Sequence, residues 1–167
     1  VNPFTNRQPG QEMITANQIK TALIWYCRFK RQWVCAPEVE FNFGWADILV
    51  DTGTAICEIE VKVNKGDLWN GEAKKSKHFR SQHANKFYIC VPETLKDEAL
   101  KWVDSVNPKY GIMIFDQWKS IVVVKTAREL TGEYNPELQK KIIRRLSSMV
   151  YFYMNRDQAK PQTEQEG

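Results

Sequence analysis

The sequence predicts an α/β domain, with one mixed β-sheet and helices on both of its faces. Three observations carry that expectation. Apolar–polar alternation across residues 34–63 reads as three short strands in succession, which consecutive segments form as an antiparallel meander. A near-continuous apolar run, Lys86-Phe87-Tyr88-Ile89-Cys90-Val91, stops at Pro92 and reads as a strand buried on both faces. Helical spacing precedes and follows these segments, so strand–helix–strand units come after the meander and demand parallel neighbours beside antiparallel ones.

The elements follow in order. Residues 1–12 are polar, contain Pro3, Pro9 and Gly10, and read as a loose N-terminal arm. Thr15 or Asn17 caps a helix reaching about Gln32, on which Ile19, Ala22, Leu23, Tyr26, Cys27 and Lys30 keep helical spacing. Strands are expected over Val34–Phe43, 46–51 and 55–63. Residues 64–85 are polar and weakly periodic, which implies a loop and then a short helix around Ser76–His83. Beyond the buried strand, Glu93–Ser105 is helical, with Leu95, Ala99, Leu100, Trp102 and Val103 on its apolar side. Tyr110–Phe115 and Ser120–Lys125 are two more strands. Asn135-Pro136-Glu137 opens a last helix, with a cap, a proline in the first turn and an acid near the positive dipole end. It runs to about Asn155, and residues 157–167 are expected to be a disordered tail. No repeat divides the chain, so 1–167 reads as a single domain.

Composition narrows the class. The 167 residues are 43% hydrophobic and 12% aromatic, enough for a real core. No run approaches a membrane span and no charged-then-apolar leader opens the chain, so no membrane partner is expected. The four cysteines, 27, 35, 57 and 90, form no Cys-x-x-Cys pair and each lies in an apolar setting. They read as buried reduced thiols in a cytoplasmic protein rather than zinc ligands or disulfides. The net charge of +4 is modest, but its distribution is informative. From Lys62 to Lys86 seven basic residues stand against two acidic ones, directly after an acidic hairpin. A basic patch beside an acid cluster is the pattern of a site shared by metal and phosphate.

That hairpin is residues 45–62. Alternation turns Cys57, Ile59, Val61 and Val63 one way and Glu58, Glu60 and Lys62 the other. Asp51-Thr52-Gly53-Thr54 supplies the turn. A two-residue loop pairs Asp47 with Glu58, and a longer one sets Asp47 opposite Glu60; either way, carboxylates on adjacent strands lie within about 7–8 Å. Like charges so placed need a compensator. Mg²⁺ suits the role, because it prefers oxygen ligands, takes one or two carboxylates and keeps several waters. Asp47, Glu60 and the Val61 carbonyl are the candidate ligands. Lys62, two residues from Glu60 on the same face, is placed to orient or deprotonate a water or to stabilise phosphate charge.

Asp47 followed by Glu60-Val61-Lys62 on the next strand resembles the PD-(D/E)XK nuclease superfamily. A closer resemblance, over roughly residues 15–155, is to MmcB-like DNA repair proteins. It rests on Ala46-Asp47-Ile48, Glu60-Val61-Lys62, Gly66-Asp67-Leu68, Asn85 to Pro92 and Gly111-Ile112-Met113-Ile114, in that order. The resemblance implies a restriction-endonuclease-like fold and a Mg²⁺-dependent nuclease, with Mn²⁺ able to substitute. It also implies Asp47, Glu60 and Lys62 as catalytic residues and nucleic acid as partner, DNA ahead of RNA, in a repair, recombination or phage context. Two departures stand out. Many members carry an acid on the first helix, where this chain has none; Glu12, Glu38 or Glu40 is a stand-in, Glu38 first because it lies on the preceding strand. Glu58 is an extra carboxylate, open to being a third ligand, a salt-bridge partner or simply exposed.

Around this set, Lys65, Lys74, Lys75, Lys77, His78 and Arg80 are candidate nucleic-acid contacts, and Trp69, placed in a loop, a candidate base contact. Trp45 is expected to pack, His83 to be a bystander, and Lys140, Lys141, Arg144 and Arg145 to face solvent. The alternative function is an inactive nuclease-fold module that binds nucleic acid or a protein; a third is a structural adaptor.

Overall fold

A computed structural model describes residues 13–41, 44–70 and 84–156. Its centre is a six-stranded sheet in which strands lie in chain order: β1 (Val34–Phe41), β2 (Gly44–Asp51), β3 (Ile56–Val61), β4 (Lys86–Pro92), β5 (Gly111–Phe115) and β6 (Ile121–Lys125). The first three form the antiparallel meander, β3–β4 and β4–β5 are parallel, and β5–β6 is antiparallel. The helices are α1 (Ala16–Trp25), α2 (Lys65–Trp69), α3 (Lys96–Val106, entered by a 3₁₀ turn) and α4 (Pro136–Arg156). The architecture is the expected mixed α/β sheet with helices on both faces, in keeping with the restriction-endonuclease-like class.

Local chemistry explains the boundaries. Thr15 caps α1 in a reciprocal box, its hydroxyl accepting the Gln18 amide while the Gln18 side chain accepts the Thr15 amide. The helix does not reach Gln32; it loosens into a π-helical turn over Tyr26–Lys30, and Gln32 takes a φ of 57°. The third strand stops at Val61 rather than 63. Residues 65–69, expected as loop, are helical because Asn64 accepts the Asp67 amide at 2.8 Å and Leu68 is buried. The expected arm over 1–12, helix around Ser76–His83 and tail over 157–167 lie outside the described residues.

Two apolar layers sandwich the sheet. On one face Ile19 and Leu23 of α1 pack with Ile48, Val50, Ile59 and Met113. All four cysteines are buried in this layer and unpaired as disulfides, as the sequence implied, and burial pushes the Cys57 thiol up to about 11. On the other face α3 lays Ala99, Trp102 and Val103 over Phe87, Ile89 and Ile112, while Leu138 and Ile142 of α4 cover Ala36, Leu49 and Ile56. Gly111 must be glycine, since a Cβ there would meet the Tyr88 ring at 2.3 Å and the Ala127 amide at 2.8 Å. Two of the basic residues expected merely to face solvent have a structural role. Lys141 and Arg145 donate to the carbonyls of Glu40 and Pro37 on β1, an edge strand whose backbone groups would otherwise stand open.

Asn85, just before β4, ties distant segments together. Its side chain accepts the Ile56 amide at 2.8 Å and donates to the carbonyls of Thr131 and Glu133 at 2.9 and 2.8 Å. It is buried, so truncation leaves these groups without a partner in a dry place. Asn85→Ala is expected to cost about 2–4 kcal/mol, read as a lower urea midpoint at unchanged slope.

Candidate functional site

The site lies where β2 and β3 part. Their antiparallel ladder runs from Asp51↔Ile56 to Ile48↔Ile59, with residues 52–55 as the connecting loop and Gly53 at a φ of 89°. The longer-loop register therefore holds, and the next step would set Asp47 opposite Glu60 rather than Glu58. At that step the ladder ends. The Val61 amide donates instead to the Asp47 carboxylate, Oδ2, at 2.8 Å. On the other side of β3 the pairing continues, with the Lys62 amide donating to the Cys90 carbonyl at 3.0 Å. The amide and carbonyl of one strand residue point to the same side. The Val61 carbonyl thus faces β2, toward the fork, as a ligand role requires.

A second irregularity turns Asp47 toward α1. Glu38 lies opposite Asp47, between the pairs Pro37↔Ile48 and Val39↔Ala46, and has a φ of 52°. That left-handed residue breaks the alternation: Ala36 and Val39 bury in the same layer, as do Ala46 and Leu49. Asp47 and Glu38 then meet Lys20 of α1. The Lys20 ammonium bonds to Glu38 and lies 2.9 Å from Asp47 Oδ1. Burial lowers the pKa of Lys20, and its bonds to Glu38 and Asp47 outweigh that, leaving it above the ordinary lysine value.

Glu60 and Lys62 form the other half. Both are nearly buried, at 8% and 6% exposed, and their side chains are 3.1 Å apart. Lys62 also lies 3.6 Å from Asp67, which α2 holds in place through Leu68. Two lysine-bridged sets of acids therefore flank the fork, Glu38–Lys20–Asp47 and Glu60–Lys62–Asp67. Glu58, half-buried on the same strand, faces the α3 side, where burial and then the Glu58 charge hold the Tyr110 phenol up to about 12.

The peripheral expectations divide. Lys65 and Trp69 lie on α2, not in a loop, and both bind Glu98 of α3, at 3.2 Å from the ammonium and 3.1 Å from the indole N–H. The Lys65 bond, then the Trp69 bond, hold the Glu98 carboxyl below the ordinary range. Trp45 is 61% exposed, against the expectation that it packs: it lies beside the fork on a strand whose neighbour Ala46 takes the core position. Lys74, Lys75, Lys77, His78, Arg80 and His83 lie outside the described residues. The sequence reading passed over Lys20 and Asp67. Lys20 occupies a position on the apolar stripe Ala16–Ile19–Leu23–Cys27, and a lysine there is itself a signal of a buried acidic partner. Asp67 was visible only as part of Gly66-Asp67-Leu68, with no role attached.

Among the described residues, no group of three or more His, Cys, Asp or Glu side chains gathers as a ready metal cage. Mg²⁺ needs less than that, since one or two carboxylates and water suffice. Asp47, Glu60 and the Val61 carbonyl are hard oxygen donors and suit it by chemistry, with Asp47 turned toward α1 and Glu60 on the face of β3 away from α1. Asp47 spends one contact per oxygen on Lys20 and Val61, and a carboxylate offers about four acceptor positions. No helix among the described residues is long and apolar enough to cross a membrane. Comparisons with family models, with curated proteins and with solved structures return no match.

Lys20→Met is expected to leave Glu38 and Asp47 facing each other without their cation. The loss is about 1–2 kcal/mol, trimmed by solvent around the half-exposed Glu38. Because the folded-state pKa is raised, the Lys20 contribution is whole below the ordinary value of 10.5 and disappears as pH climbs through the elevated one. Melting curves should therefore separate wild type from Lys20→Met at neutral pH and converge as the solution becomes strongly alkaline.

Proposed function

We propose that the chain is a Mg²⁺-dependent nuclease of the PD-(D/E)XK type, with Mn²⁺ able to substitute. It hydrolyses phosphodiester bonds, in DNA ahead of RNA, in a repair, recombination or phage-related role. The observation that carries this reading is the fork, where Asp47 and Glu60 stand on diverging strands and Lys62 bonds Glu60. Among the described residues the two flanking sets gather four carboxylates around two lysines. A divalent cation bound there would stabilise developing phosphate charge and lower the pKa of a coordinated water. Asp47, Glu60 and the Val61 carbonyl would hold it.

Lys62 is held between Glu60 and Asp67, from where it can stabilise phosphate charge or orient a water. Among the described residues, Lys65 and Trp69 on the adjacent α2 are the ones that would contact a nucleic-acid strand. The four buried, unpaired thiols support a cytoplasmic setting. One observation favours a second reading, a nuclease fold that binds nucleic acid or protein without turnover: Lys20 already pairs with Asp47, where α1 of many superfamily members brings an acid.

A panel of single-stranded, duplex, flap and branched DNA with Mg²⁺ or Mn²⁺ separates the two. The enzyme should cut at least one substrate, and Lys62→Ala should slow cutting by roughly 100-fold or more with binding largely kept. Asp47→Ala and Glu60→Ala should be equally inactive; cutting that persists in either removes the site assignment. Binding that weakens steeply with salt and yields no product under either metal decides for the second reading.

A further inference from the structure

Among the described residues, one helix covers the cysteine-bearing face of the sheet, α1 with its π-helical turn. Six strands about 4.8 Å apart span roughly 24 Å, and a helix about 10–12 Å across covers about half of that width. Beyond the turn the face opens into a cavity of about 620 Å³, within the range of small-ligand sites. Its inner wall is Tyr26, Cys57, Ile59, Tyr88 and Met113, all buried. Its rim carries Arg31, Trp33, Thr54, Lys86, Thr126 and Glu129. The cavity lies near the start of β3, and the fork lies at the other end of that strand.

The rim offers donors to an anion. Arg31 stands between the π-helical turn and Gln32, whose φ of 57° is sparsely populated by non-glycine residues. Distortions of both kinds gather at functional sites. The Arg31 guanidinium lies over the Trp33 ring, 4.5 Å from its centroid. Stacking occupies the guanidinium face and leaves its in-plane N–H donors for an acceptor. Lys86 supplies a second cation, and among the described residues neither is paired with a carboxylate. Burial raises the Cys57 thiol and the Tyr88 phenol, while Lys86 lowers the first and Arg31 the second. Both cations are therefore within electrostatic reach of the inner wall.

We propose that this cavity binds a nucleotide, with its phosphate at Arg31 and Lys86 and its base against the aromatic inner wall. Two cations match a phosphate monoester, which carries about 1.5–2 negative charges at neutral pH. Tyr26 and Tyr88 give a planar ring an apolar surface to lie against. Glu129, the one acid among the described lining residues, can accept from a sugar hydroxyl or a base amino group. Thr54 and Thr126 add hydroxyls that donate or accept. A free mononucleotide and a strand end present the same groups.

This site does not rest on the reading of the fork, and its test is run without metal or cutting. Calorimetry on the full chain in EDTA should show binding of AMP, with adenosine and inorganic phosphate each roughly tenfold weaker or more. Arg31→Ala and Lys86→Ala should each weaken AMP by roughly tenfold or more with an unchanged circular dichroism spectrum; two variants guard against one failing to fold. A 5′-phosphorylated single-stranded DNA that binds through the same two residues, where AMP does not, places the nucleotide at a strand end. Binding of neither ligand overturns the proposal, as does binding that both variants leave unchanged. So does adenosine that binds as tightly as AMP, since the two cations then hold no phosphate.

Discussion

The contact on which the site depends is the hydrogen bond from the Val61 amide to the Asp47 carboxylate. It replaces a rung of the β2–β3 ladder with a side chain. A buried strand amide must be satisfied, and a carboxylate does so more strongly than a carbonyl because the bond is charge-assisted. The two strands can then separate at that point without leaving an unpaired amide. The candidate site residues of the hairpin flank that gap: Asp47 on β2, Glu60 and Lys62 at the end of β3, and the Val61 carbonyl facing between the strands.

Keeping that much charge in a partly dry place requires alternation of sign. Glu60 and Lys62 are nearly buried, and a buried carboxylate or ammonium without a partner is strongly disfavoured. The fold answers with a lysine between two acids on each side of the fork. Each lysine comes with its own support: Lys20 on a helix capped by Thr15 and anchored by Ile19 and Leu23, Lys62 on a strand whose outer side is still paired to β4. Such pairs fix geometry more than they add stability, because their Coulomb gain is largely spent on desolvation.

The same division between support and exposure runs through α4. Its first half packs on the sheet and shields the edge of β1 with Lys141 and Arg145, while its second half, equally helical, has no sheet beneath it. The helix continues although the residues after Leu146 are weaker helix formers than those before it, and what ends there is the packing surface.

The sequence by itself determined the elements, because local spacing and punctuation encode them. Alternation marked β1 to β3, the run before Pro92 marked β4, and Asn135-Pro136-Glu137 marked the start of α4. Alternation also put Glu58, Glu60 and Lys62 on the face of β3 away from Cys57, Ile59 and Val61, the part of the site that was legible. What only the tertiary structure decided is which charges meet. The loop length between Asp51 and Ile56 chose Glu60 over Glu58 as the neighbour of Asp47, and a left-handed Glu38 turned both acids toward Lys20. Trp45, with an alternation that admits either face, was left outside the core, and α2 formed where composition read as loop. These outcomes depend on contacts between residues far apart in the chain, such as Lys20 with Asp47 or Trp69 with Glu98, and no local pattern carries that information.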